Sequence, residues 1–348
     1  MAGVQVSSSS EAMLKLVSKL DFPLLRENVW RIYPDAAMSF LETIDGLYEV
    51  DTQGALEFMR IRSHCTPNNT ITVIAERSGV SQERVVASLL SLIAPNVLIT
   101  RSVAQANEMP LGDPGQVLER VVSLWGRELQ HAIVINRLFD KSMSKTVLIG
   151  WMFEMYHYVA DFPHAIQVAA DRAKGELRAV LTRYAQEEHG HEEFVVQALL
   201  NLGFSRSEIV SSRPLASTRA LCLLMRDVFT THPAAALLLA HMVEAAEVPE
   251  DMLLARRTKI EHEYELPRNA LEPIFQHQVI DAALGHQSLL SRHRHLIPDS
   301  PEPLLDAVVS GMHDIKHMFE LQSEEICSYY GNLDGKFLPA QTLRFAAL

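Results

Sequence analysis

Apolar residues recur at helical spacing over most of the chain beyond about residue 114. The periodicity predicts long helices near 115–140, 145–172, 175–202, 216–247, 268–294 and 302–330, separated by short breaks such as NLGFSRSE, EVPED and LIPDSPEP. These segments are poor in strand signals, so an all-α bundle follows. The pattern fails at Ala106–Gln116, ANEMPLGDPGQ, where two Pro and two Gly favour a linker or turn. The expected division is therefore a domain over residues 1–110 and a helical bundle over residues 111–348.

Upstream of that break the periods are mixed. LYEV and ALEFMRI read as short strands. TITVIAERSGVSQERVVASLLSLIAPNVLIT reads as helix, turn at Ser78–Gly79, helix and short apolar strand. In the second helix Val85, Val86, Leu89, Leu90, Leu92 and Ile93 form a broad apolar face, and Ser81 is placed to cap its start. Strands with a helix-turn-helix over about Gly46–Thr100 resemble a small α+β winged-helix domain. Its groove-facing residues, Ser81, Gln82, Glu83 and Arg84, carry no net positive charge, and Arg77 is offset by Glu76. DNA binding through phosphates calls for more. The same order is similar to leader-peptide-recognition domains of the pyrroloquinoline quinone biosynthesis type, which implies a peptide bound as an added strand. A docking or dimerisation appendage without a ligand is the alternative.

Bulk properties narrow the classes. At 348 residues the chain is long for one core, and one domain per roughly 150 residues points to two. Its 43 acidic against 31 basic residues give a formal charge of -12, which argues against a nucleic-acid partner. No run of about 18 apolar residues suggests a membrane span, and the start lacks the charged and apolar regions of a signal peptide; a cytoplasmic protein is expected. Cys65, Cys222 and Cys327 are too few and too scattered for a disulfide framework or a CxxC zinc site, and read as buried thiols.

The chemistry concentrates at Gln186–Phe194, QEEHGHEEF, which packs four carboxylates and two imidazoles into about two helical turns. Glu188 and His191 are three apart, and Glu187 and His191 four apart, so either pair can aim at one point. A solvated charged face is the plain alternative. A second segment, FQHQVIDAALGH, places His277 and Asp281 four apart among Phe, Val, Ile, Ala and Leu. A buried imidazole and carboxylate are costly there unless paired or bound to a metal. Between the two lies ALLLAHMVEAAEVPEDM, an apolar helix with Glu244 and Glu247 near its end; being three apart, one can face in while the other faces out.

Glu and His, then Glu, then His and Asp is an order that resembles the haem-oxygenase-like diiron oxidases, relatives of thiaminase-type proteins and of pyrroloquinoline quinone synthase. YAQEEHGHEEFVVQALLNLGF is similar to that family's first core helix and HQVID to the start of its third. The resemblance implies Glu188, His191, Glu244 (with Glu247 as substitute), His277 and Asp281 as metal ligands. Glu188, His191, His277 and Asp281 would be the catalytic set. It further implies Fe(II), two ions, with dioxygen as co-substrate, acting on a small amino-acid-like or peptide- or carrier-bound substrate in natural product biosynthesis, in a homodimer served by an electron donor. One position departs: the family's last His falls on Leu284. His286 is the nearest imidazole, but it lies five residues past Asp281, about 140° around an ideal helix, so it serves as ligand only if the helix is distorted, for example by a π-bulge; Gly285 makes irregularity plausible.

Upstream, WMFEMYHYVADFPHAI carries Glu154, Tyr156, His157, Tyr158, Asp161 and His164 on an apolar helix. In the family this helix lines the substrate cavity, which would make Glu154, Tyr156, His157 and His164 substrate contacts; satisfied core side chains are the alternative. His313 and His317 read as a solvated face, and SRHRH as a helix end whose cations complement the dipole. Cys222 would matter in a thiol-dependent hydrolase but has no visible activating partner. Three readings follow: an iron-dependent oxidase, a cofactor-free oxidase of the pyrroloquinoline quinone synthase type (which Leu284 favours), and a non-catalytic peptide- or partner-binding protein.

Overall fold

A computed structural model describes residues 20–66, 68–93, 97–99, 113–132, 134, 143–244, 248–297, 302–333 and 337–341. The chain divides into two compact units, Met1–Asp113 and Pro114–Leu348.

In the first unit, strands β2 (Asn28–Arg31), β3 (Met38–Thr43) and β4 (Gly46–Asp51) form an antiparallel sheet in that order, with Trp30 opposite Leu41 and Leu41 opposite Tyr48. Strands β1 (Leu24–Leu25) and β5 (Leu98–Ile99) pair separately. Helices α1 (Thr52–Arg62), α2 (Ile71–Ser78) and α3 (Gln82–Ser91) accompany them among the described residues of the unit. The two-helix stretch, its turn at Gly79 and the Ser81 cap agree with the sequence pattern. ALEFMRI does not: it is helical, because Asp51 caps the N-terminal amides of Gln53 and Gly54 and Ala55, Phe58 and Ile61 bury at three-residue spacing. These side chains join Leu41, Ile71, Ile74, Val85 and Leu89 in the core.

The second unit is built of helices: α4 (Pro114–Ala132), α5 (Lys145–Arg172), α6 (Gly175–Glu188), α7 (Glu192–Asn201), α8 (Arg206–Ser211), α9 (Ala216–Thr231), α10 (Ala235–Val243), α11 (Glu250–Glu263), α12 (Glu272–Leu284), α13 (Leu289–His293) and α14 (Glu302–Gly331). Helix α5 packs against α6, α7, α9 and α14. Gly150 permits the approach of α14, since a Cβ there would strike the ring of Tyr330.

Three segments expected as single helices are broken, and each break bears on the site. The stretch 175–202 divides at His189–Gly190, with Gly190 left-handed at φ 93. The stretch 216–247 divides around Pro233, leaving Glu244 as the cap after α10 rather than inside a helix. The stretch 268–294 ends its first helix at Gly285 and continues as a 3-10 turn, His286–Ser288, before α13. Helix α11 falls in a region where the sequence pattern predicts none. Its buried Glu261 accepts from the backbone N–H groups of Asn269 and Leu271, and so fixes the entry into α12. Among the described residues no helix is long and apolar enough to cross a membrane.

Candidate metal centre

Glu188 ends α6, and the turn through His189 and Gly190 brings His191 back beside it, with Nδ1 of His191 3.2 Å from Oε2 of Glu188. Helix α12 supplies the opposing pair. Nε2 of His277 lies 2.9 Å from Nδ1 of His191 and 3.2 Å from Oδ2 of Asp281, whose Oδ1 is 3.4 Å from Nδ1 of His191.

His286 is brought to these donors by a break in the helix rather than by a bulge. Gly285 adopts a left-handed conformation at φ 72, its N–H returning to the carbonyls of Asp281 and Ala282, and the 3-10 turn then swings His286 inward until it is 0% exposed. Nδ1 of His286 reaches 2.8 Å from Oε1 of Glu188 and 3.9 Å from Oδ1 of Asp281. Two supports for this turn had no sequence signal, because their partners are distant in the chain. Glu187 lies 3.2 Å from Nε2 of His286. His241 bridges Oγ of Ser123 and the carbonyl of Gln287. Glu244 is half-buried, and the phenol of Tyr184 donates to its Oε1 at 2.6 Å. Glu247 lies outside the described residues.

Two donor sets result: Glu188, His191 and His277, and Glu188, Glu244, Asp281 and His286, with the donor atoms of each set within 4.8 Å of one another. A third set, Glu176, His293 and His295, lies at the surface, as the helix-end reading of SRHRH anticipates.

The electrostatics are those of crowded carboxylates. Burial and the nearby Glu188 and Asp281 push Glu244 up to about 8, and burial with Glu188 pushes Asp281 up to about 7. Burial also disfavours the charged forms of Glu188 and His286. Contact with His191 and then with His286 outweighs it at Glu188, whose carboxyl is lowered, and contact with Glu188 outweighs it at His286, which is raised to about 9. His277 is driven down to about 4 by burial and then by His191, so its ring is neutral near pH 7.

A cation fits this arrangement. Oε1 of Glu188, Oδ1 of Asp281 and Nδ1 of His286 are buried without hydrogen bonds. The 2.8 Å approach of Glu188 to His286 lies outside hydrogen-bonding geometry. Converging orphan donors are costly unless something binds them. Imidazole with carboxylate and no thiolate suits iron or a related divalent metal better than a closed structural zinc site.

Beside these donors lies a cavity of about 230 Å³. Glu188, Glu244, His277 and Asp281 line one side, and Trp151, Glu154, Tyr158 and Phe162 of α5 with Phe319 and Gln322 of α14 line the other. Of the four side chains expected to contact substrate, Glu154 alone is on this wall. At 100° per residue, Tyr156, His157 and His164 point about 130° or more from the cavity-facing stripe of α5. His157 instead meets Oγ of Ser212 at 2.9 Å, and His164 is exposed. Burial, followed by the neighbouring Asp161, pushes the Cys222 thiol up to about 12, so it is a core residue and no thiolate nucleophile. His313 and His317 are exposed, the former against the edge of Trp125.

The C-terminal unit thus has a haem-oxygenase-like helical fold, preceded by a small unit with a few strands. Residues 149–315, which span every donor described above, match the model of a family described as "Iron-containing redox enzyme". Among solved structures, a domain of unknown function with a heme oxygenase-like fold from Shewanella denitrificans OS217 is similar at 19% identity and TM-score 0.51, over 64% of this chain and 98% of that one. A TenA homologue from P. horikoshii OT3 matches at 14% identity and TM-score 0.44, over 61% of this chain and 97% of that one. No curated protein matches the sequence.

Proposed function

We propose that the chain is a non-haem, iron-dependent oxidase or oxygenase with two metal positions, one that Glu188, His191 and His277 would hold and one that Glu188, Glu244, Asp281 and His286 would hold. The observation that carries this reading is the convergence of buried carboxylate and imidazole atoms of Glu188, Asp281 and His286 that make no hydrogen bond. Iron(II) bound by such a mixed imidazole and carboxylate set supplies the reduction of dioxygen. The protein's own part is to hold these donors in place. His277, neutral near pH 7, carries no charge that a metal would have to displace. Glu187 takes the hydrogen bond of the outer His286 nitrogen and so fixes the ring. Tyr184 fixes Glu244. Trp151, Tyr158 and Phe162 of α5 and Phe319 of α14 give the cavity facing the donors an aromatic wall.

The substrate in this reading is a small amino-acid-like molecule, free or carried on a peptide or carrier protein, in specialised biosynthesis. The cavity volume of about 230 Å³ supports a small molecule, or the end of a larger one. The N-terminal unit would deliver a tethered substrate, with a homodimer and an external electron donor as the expected assembly. The cofactor-free reading drew on Leu284, and His286 lying beside Glu188 counts against it.

The test is iron stoichiometry after anaerobic loading with iron(II), followed by optical spectroscopy on exposure to dioxygen. Two irons per chain and a transient visible band are expected. No bound iron would overturn the proposal in favour of a cofactor-free or non-catalytic protein.

A further inference from the structure

Helix α6 and the segment from His286 to His295 run side by side in opposite directions and meet at both ends. Glu187 and Glu188, at the end of α6, contact His286. Glu176, in its first turn, contacts His293 and His295, where α13 gives way to a 3-10 turn over Arg294–Leu296. Between the two ends the segments leave a second cavity of about 230 Å³, bordered by Val180, Arg183 and Glu187 on one side and Leu289, Arg292 and His293 on the other.

The end at Glu176 has the spacing of a cation site. Oε1 of Glu176 lies 3.2 Å from Nε2 of His295 and 3.8 Å from Nδ1 of His293, and one donor atom from each of the three residues falls within 4.8 Å of the others. Ligands held about 2.1 Å from a tetrahedral zinc stand about 3.4 Å apart, so both spacings suit one ion. Glu176 and His295 alone, both exposed, would be an ordinary surface pair. His293 changes that reading: its Nδ1 is buried and makes no hydrogen bond among the described residues. A buried ring nitrogen is costly to leave unpaired. The turn that presents the two rings is held from behind. Arg294, between them, pairs with Glu119 of α4 at 3.0 Å, and its side chain packs so close to Gly115 that a Cβ there would strike it.

We propose that Glu176, His293 and His295 bind one divalent cation of the zinc class, separate from the donor sets at Glu188, and that this ion latches the start of α6 to the end of α13. Two imidazoles, one carboxylate and a water make a set that zinc accepts, and iron(II) binds such donors more weakly than the later divalent metals. Glu176 stands about 18 Å along α6 from Glu188, so the ion acts by tying the two segments and takes no part in chemistry at the centre. With the latch closed, the segment that carries His286 is fixed at both ends. The inference stands on these three side chains and is independent of the oxidase reading.

The test is equilibrium dialysis of the full chain against buffered zinc(II), read as ions per chain, for the wild type, His293→Ala and His295→Ala. His317→Ala serves as control, since it removes another exposed histidine, one that pairs with Glu320 at 3.2 Å. At micromolar free zinc the wild type and the control are expected to bind one ion more than either variant. Losing a ligand should weaken that ion by at least the roughly 10- to 100-fold that loss of an outer partner costs a metal site. Hydrogen–deuterium exchange reads the latch: with zinc, the amides of residues 289–295 should exchange more slowly in the wild type than in His295→Ala, and without zinc equally in both. Equal ion counts in all four proteins, or a last ion that binds only at millimolar zinc, would overturn the site. Equal exchange in the two zinc-loaded proteins would overturn the latch. The count is a difference, so it decides the matter whether the donor sets at Glu188 take two ions, one or none; failure of the oxidase reading would lower all four totals together.

Discussion

Glu188 turns its two carboxylate oxygens toward different imidazoles, Oε2 to His191 at 3.2 Å and Oε1 to His286 at 2.8 Å. One side chain thus belongs to both donor sets. Replacing it should cost more than replacing either histidine. Glu188→Gln is expected to lose most of the bound iron at both positions, whereas His191→Ala and His286→Ala should each weaken one position and spare the other. Iron content and titration stoichiometry on the three proteins check this. Full occupancy in Glu188→Gln would show that the two sets are independent.

The turn that delivers His286 depends on a backbone state that L side chains rarely adopt. Gly285 has φ 72, and a Cβ there would come within 3.2 Å of Oγ of Ser288. Gly285→Ala should destabilise the fold by about 1–2 kcal/mol and weaken metal binding at the His286 position, leaving the position of His191 and His277 near normal. Differential calorimetry and a metal titration separate the two effects. A variant that unfolds earlier yet binds two metals with wild-type affinity would show that His286 is not held by this turn.

Much of the centre was legible in the sequence. Spacing put His277 with Asp281 because ligands on one helical face leave a period that needs no tertiary information; it also put Glu188 with His191, although the turn at His189–Gly190, and not a shared helical face, brings those two together. Glu154 was also legible as a polar break in an apolar helix, but its neighbours Tyr156, His157 and His164 were not separable from it without knowing which stripe of α5 faces inward. The helix breaks were harder. At His189–Gly190 and Gly285 the apolar period runs straight through, and a glycine inside a periodic segment is tolerated as often as it ends one. Glu187, His241 and Tyr184 support the site through partners 46 to 118 residues away in sequence, a relation with no period to detect. The strand reading of ALEFMRI failed for a local reason: the capping carboxylate of Asp51 settles a segment whose composition suits either state.

Nε2 of His286 lies 3.2 Å from Oε2 of Glu187, and an outer hydrogen bond of this kind fixes the ring and tautomer of a ligating histidine. Glu187→Ala is expected to weaken metal binding at the His286 position by about 10- to 100-fold, and Glu187→Gln, which keeps an acceptor, to restore much of it. Glu187 also pairs with the exposed Arg183 at 2.7 Å. A surface pair of that sort contributes about 0–1 kcal/mol, so Arg183→Ala should leave affinity unchanged. Equal losses in Glu187→Ala and Arg183→Ala would assign the effect to the surface pair instead.

His157 gives the fold a pH dependence of its own, away from the donor sets. Burial beside Ser212 lowers it from 6.5 to about 4. The folded protein therefore holds the ring neutral over a window in which the unfolded chain takes up a proton. Stability from this group is fully present above about pH 6.5 and is lost as pH falls toward 4, since the unfolded state then binds more protons than the folded one. Allowing for its partial exposure, the loss is of order 1–2 kcal/mol. His157→Gln can still reach Ser212 but cannot be protonated, so its stability should fall less than that of the wild type between pH 7 and pH 5. Chemical denaturation at the two pH values measures the difference. The donor-set residues titrate in both proteins and cancel in the comparison. Parallel losses would mean that His157 carries its proton equally in both states, which its burial argues against.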